Sequence, residues 1–286
     1  MADQQPRTDE AAGPGRQDAL VPLEYAIAAL PAPLRRVIAV LRFEIKRTQT
    51  YPRIFVWALL AMFPVLMMGL FRYQDEHLPE VAWGFVLYGM IPQVVCLLGL
   101  LLWVAPVVNA EIEGRTWVYV AVRPGGKLAL LLGKYLNGIL WTCSAAWTGL
   151  TVGMLVGQPD VPEPFRLWLV LAFLVVLACF GYGAAYAVIG TLFHQRAMVI
   201  SVGYMLVFEV VMSNVPAVVN QLTVQYRLFN LLFGMMDWVA PAGSPWVLSD
   251  QPPSHHVLML ILYVAVLLLV AALCLRFREY STTEET

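Results

Sequence analysis

Six stretches of this 286-residue chain are apolar for long enough to cross a lipid bilayer. An α-helix rising 1.5 Å per residue needs about 20 apolar residues to cover a hydrocarbon core about 30 Å thick. The stretches run from about Ile54 to Phe71, Trp83 to Val108 with Pro92 and Gln93 inside, Leu128 to Val156, Leu167 to Phe193, Met198 to Val218, and Val257 to Leu275. In hydrocarbon every backbone N–H and C=O must be paired within the protein, so these stretches predict helices. The fold class that follows is an all-α integral membrane protein with six transmembrane helices. Composition agrees, because 60% of residues are apolar and 13% charged, against about 45–50% and 25% in soluble domains.

The basic residues predict the orientation, since short cytosolic loops carry the excess of Lys and Arg. With the N-terminus inside, 15 of the 18 basic residues are cytosolic and only Arg72, Arg166 and Arg227 lie outside. The outer loops then hold Asp75, Glu76, Glu80, Asp160, Glu163, Asp237 and Asp250. Both termini are expected in the cytosol, and the membrane is expected to be the cell's inner, cytoplasmic one. Residues 1–33 contain no apolar run that would serve as a signal-peptide core and read as a disordered cytosolic tail. Residues 34–278 form the membrane domain, and 279–286 a second cytosolic tail.

Before the first span, Leu34, Val37, Ile38, Leu41 and Ile45 recur at helical spacing while Arg35, Arg42 and Lys46 take other faces. A basic amphipathic helix of this kind lies flat on the inner leaflet. Between the last two spans, Tyr226 to Val239 is apolar but short, and reads as one or two helices packed at the outer interface, followed by a Pro-rich link.

Several function classes fall away. A net charge of −1 leaves no basic excess for nucleic acid. The four cysteines show neither CxxC nor Cys/His metal spacing and read as small hydrophobes. No GxxxxGK[ST], HExxH or GxSxG occurs, so no catalytic residue, metal ligand or bound cofactor is expected of this chain.

The informative segment is the loop after the second span. It carries Glu111, Glu113, Gly114 and Thr116, then Pro124 and Lys127, and leads into Leu132-Gly133-Lys134. This pattern resembles the loop of ABC-2 type transporter permeases, with Glu-x-Glu, a Gly-Thr pair, a Pro-x-x-Arg turn and Leu-Gly-Lys. Arg115 separates Gly114 from Thr116, and Lys127 stands where Arg is usual. The flat helix, six spans and helical excursion before the last span extend the resemblance over residues 34 to 278. It implies a permease subunit, an exporter by analogy, driven by ATP bound on a separate ABC ATPase subunit. The partner permease would be a second copy or a similar chain. The loop would be the coupling segment that docks on the ATPase, with Glu111, Glu113, Gly114, Thr116, Pro124, Gly133 and Lys134 at or near it.

Two polar residues inside spans read in more than one way. An ionised carboxylate at mid-membrane costs about 2.5–3.5 kcal/mol, so Glu209 either lies on a translocation or gating path or makes a structural hydrogen bond to a neighbouring helix or the outer loop. Gln93, beside Pro92, carries the same pair of readings. The alternatives for the whole chain are an ion-coupled carrier using Glu209, a membrane scaffold, and an intramembrane enzyme. Gly149, Gly153 and Gly157, and the small residues from Gly181 to Gly190, are packing faces within a protomer or across a dimer.

Overall fold

A computed structural model describes residues 31–73, 79–114, 117, 122–123, 125–159, 161–212, 218–238 and 251–278. Every regular element among them is helical. In chain order these are α1 (Ala32–Thr48), α2 (Tyr51–Tyr73), α3 (Glu80–Trp103), α4 (Asn109–Glu113), α5 (Gly126–Gly157), α6 (Pro164–Leu192), α7 (Ala197–Val211), α8 (Val224–Met236) and α9 (Pro253–Phe277).

Five helices, α2, α3, α5, α6 and α9, are long and apolar enough to cross a membrane. The segment expected as the fifth span differs. It forms eight residues of α-helix and then a π-helix, Met205–Val211, about 22 Å at an α-helical rise. The tail at residues 1–30, the tail at 279–286 and the first prolines of the Pro-rich link lie outside the described residues.

α6 is the hub. Its small residues let neighbours approach from several sides: a Cβ at Gly181 would sit 2.9 Å from Val224 Cγ1 of α8, and one at Gly183 would sit 3.0 Å from Tyr135 of α5. The glycine row of α5 packs inside the chain against α2. A Cβ at Gly149 would meet the Ala61 carbonyl oxygen at 2.9 Å, and one at Gly157 would meet Met68 Cε at 2.6 Å. This close seam compensates for the missing hydrophobic drive between helices in lipid.

α3 changes its winding midway. Pro92 has no N–H to return to the carbonyl four residues earlier, and Gly89–Val95 winds as a π-helix around it. Thus the two π-helical segments among the described residues each carry one of the polar residues singled out above, Gln93 and Glu209.

At the end of the bundle formed by the start of α3 and α6, α8 lies buried along nearly its whole length. The Thr223 side chain accepts a hydrogen bond from Tyr226 N at 3.2 Å and caps its first turn. Arg166 caps the other end, donating to the Met235 carbonyl at 2.8 Å and to Asp237 at 2.6 Å. Trp238 Nε1 donates to Glu80 at 3.2 Å. At the opposite end of the bundle, Arg278 donates to the last carbonyl of α6, that of Leu192.

Candidate coupling site

α1 and α4 meet the beginning of α5, and the contact is polar. Glu111 is 3% exposed. One of its oxygens, Oε1, lies 2.5 Å from Lys134 Nζ and 2.9 Å from Arg47 NH1. The same Arg47 nitrogen is 3.5 Å from Glu44 Oε1. Lys134 also donates to the Val107 carbonyl at 3.3 Å. Among the described residues, two carboxylates and two cations thus form a cluster that joins α1, the loop helix α4 and α5.

Neighbouring hydrogen bonds extend it. Thr48 Oγ1 donates to the Glu44 carbonyl at 2.6 Å and accepts from Asn137 Nδ2 at 3.0 Å. Gly133 makes the approach possible, because a Cβ there would lie 2.6 Å from Val40 Cγ1 of α1. Gly125 starts α5 in the left-handed region, at φ 74°, where a side chain would be strained and would also meet Arg36.

The face of α1 that is buried is accordingly not the apolar stripe alone. Val37, Glu44 and Thr48 are buried, whereas Leu34 is 47% exposed. On this buried face Thr48 accepts from Asn137 of α5, and Glu44 pairs with Arg47 of its own helix. Arg35, Arg36, Arg42 and Lys46 stay exposed.

The Glu-x-Glu pair is split by burial. Glu111 faces inward, while Glu113 is exposed and accepts from Asn109 Nδ2 at 2.8 Å. Gly114 ends α4 with an ordinary negative φ and is exposed. Lys127 Nζ stands 5.8 Å from the centre of the Trp117 ring, and Trp117 is buried. Thr116 and Pro124 lie outside the described residues. Neither a scan against protein-family models nor a search of curated proteins finds a match to this chain.

Arg47, Glu44, Thr48 and Asn137 are the members of the cluster that the sequence reading passed over. The signal for Glu44 and Thr48 lies in the period: Val37, Leu41, Glu44 and Thr48 follow one another at steps of four, three and four residues, along one helix face. Asn137 stands one turn beyond Lys134 on α5.

Glu209 and Gln93 are elsewhere, away from α4. Glu209 is fully buried and accepts from Tyr204 OH at 2.8 Å and from the backbone N–H of Gln225 at 3.1 Å. Tyr204 and Tyr263 share a hydroxyl contact of 3.1 Å. Gln225 is in the first turn of α8, so a carboxylate from α7 sits at that helix's positive end. Gln93 lines a cavity of about 420 Å³ between α3, α7 and α8. Among the described residues no group of His, Cys, Asp or Glu is arranged to hold a metal ion.

Proposed function

We propose that this chain is the membrane-spanning subunit of an ABC exporter of the ABC-2 permease type, driven by ATP on a separate ATPase subunit. The observation that carries the reading is the buried cluster of Glu111, Lys134, Arg47 and Glu44. A loop that passes a partner's motion to the spans must be fixed to them at one end and open to the partner at the other. Glu111 supplies the first requirement and exposed Glu113 the second. Closure of two ATPase subunits on ATP does the work, through their higher affinity for ATP in the closed state.

In this reading the apolar stretch that begins with α7 is the fifth of six crossings, and both termini lie in the cytosol at the inner membrane. The exposed basic face of α1 then meets inner-leaflet headgroups. The working unit pairs two copies or one copy with a similar permease. Export follows from the resemblance alone.

The test is co-purification with an ABC-type ATPase subunit expressed from the same host. The Glu113→Arg variant should lose that partner while keeping its own thermal stability. A chain that never associates with such an ATPase overturns the reading. The rival favoured by a specific observation is an ion-coupled carrier, because Glu209 shares a hydroxyl chain with Tyr204 and Tyr263. It predicts uptake into vesicles driven by a proton gradient with no ATP.

A further inference from the structure

A groove of about 350 Å³ runs between the start of α8 and the first half of α9. Val224 and Leu260 form its floor: both are buried, and a Cβ at Gly181 of α6 would sit 2.9 Å from one and 3.4 Å from the other. Leu262 and Val266, on the α9 wall, are 56% and 50% exposed. Only four residues of α9 are buried, so the groove opens outward from the bundle. In a bilayer that open side meets acyl chains.

The charged residue among those described along the groove is Arg227. It is half-buried, and among the described residues it makes neither a hydrogen bond nor an ion pair. The other basic residues at this end are engaged, Arg72 by the Val156 carbonyl and Arg166 by Glu163 and Asp237. Burial draws the Arg227 pKa down from the usual arginine value, opposed by the Tyr226 phenol. The Glu209 carboxylate stands behind the groove, bonded to Tyr204 and to the Gln225 N–H, and does not act on Arg227.

Tyr226, the chain neighbour of Arg227, packs edge-on against His256 in the first turn of α9, with ring centres 6.3 Å apart. Arg227 therefore marks that end of the groove. Val266, at the other end, lies about 15 Å further along α9 at the α-helical rise, which is one leaflet of a hydrocarbon core about 30 Å thick. A cation above an apolar channel of that depth has the layout of a lipid with an anionic head.

We propose that this groove holds an anionic phospholipid of the leaflet at the α8 end of the bundle, its phosphate on Arg227 and one acyl chain laid along Met259, Tyr263 and Val266. A guanidinium offers five N–H donors in a planar fork that matches a phosphate. A zwitterionic headgroup presents the same phosphate but brings its own ammonium beside Arg227, and that repulsion weakens the pairing. The inference needs the chain to lie in a membrane. It does not need the permease reading, which co-purification tests separately.

The full chain, purified in mixed micelles of phosphatidylglycerol and phosphatidylcholine with matched acyl chains, is released for native mass spectrometry and its retained lipids are counted. One phosphatidylglycerol should stay bound, preferred about fivefold over phosphatidylcholine. Arg227→Gln, which breaks no bond among the described residues, should abolish the preference, and Arg227→Lys should keep part of it. Val266→Trp should displace the lipid with the charge left in place. Both should leave the helical circular dichroism unchanged. An Arg35→Gln, Arg42→Gln, Lys46→Gln variant, altered on the basic face of α1, should retain the lipid, as should the unaltered chain in excess glycerol phosphate. Equal retention of the two lipids, retention unaffected by both Arg227→Gln and Val266→Trp, or loss only in the α1 variant overturns the proposal. Displacement by glycerol phosphate overturns it too, since the site would then recognise free phosphate and not a lipid.

Discussion

Glu111 accepts two cations at a single buried oxygen, and its environment decides what substitutions there would do. Removing one member of a buried ion pair leaves the other uncompensated, at a cost of about 3–5 kcal/mol, whereas replacing the pair by apolar groups of similar size is often neutral. Lys134→Met alone should therefore lower the thermal unfolding midpoint clearly. The Glu111→Leu, Lys134→Met double variant should recover much of the loss, and a double-mutant cycle read by unfolding measures the coupling. Additive losses would show that the two side chains do not act together. The Glu-x-Glu spacing was legible in the sequence, but its division into a buried and an exposed partner was not. That division depends on Arg47, which lies 64 residues away along the chain, and no local pattern encodes such a distance.

The helices differ in how far the sequence announced them. Long apolar runs announced α2, α3, α5, α6 and α9, because only a helix satisfies the backbone over such a length. α7 was harder, since its apolar run continues to Val218 while its described helix ends as a π-helix at Val211. The glycine row of α5 was visible as a packing face, but its partner, α2, came from tertiary structure. For α1 the basic face was evident, whereas its rotation toward α5 depends on Gly133. Gly133→Leu should push α1 away from α5, and faster hydrogen exchange along Val37 to Thr48 would register the displacement. In α8, Arg166 holds the last carbonyls and Asp237 together. Arg166→Ala should speed exchange at Phe233 to Trp238 and leave the first turn, capped by Thr223, protected.

For the molecule as a whole, the two ends of the bundle are chemically distinct. One end gathers α1, α4 and the close of α6 and α9, with Arg35, Arg42 and Lys46 exposed. The other gathers α8, Arg166 and the acids Glu80, Glu163 and Asp237. A single cysteine placed at Lys46 and another at Glu163, in a background lacking the native cysteines, should react with a membrane-impermeant maleimide from opposite sides of sealed vesicles. Labelling of both from one side would contradict the expected orientation. Charge asymmetry made this arrangement legible. The cavity between the two π-helices had no such signal, because its walls come from three segments scattered between Phe85 and Phe229.

The bonds that hold α1 also set an order of events on the ribosome. Arg47 emerges long before Glu111 and Lys134, and Thr48 must wait for the first half of α5 before Asn137 reaches it. A nascent chain halted shortly after Gly157 should already shield α1 from protease, and one halted before Gly126 should leave it open to cleavage. The arrival of the first half of α5 is thus the earliest point in synthesis at which the end of the bundle that holds α1 can close.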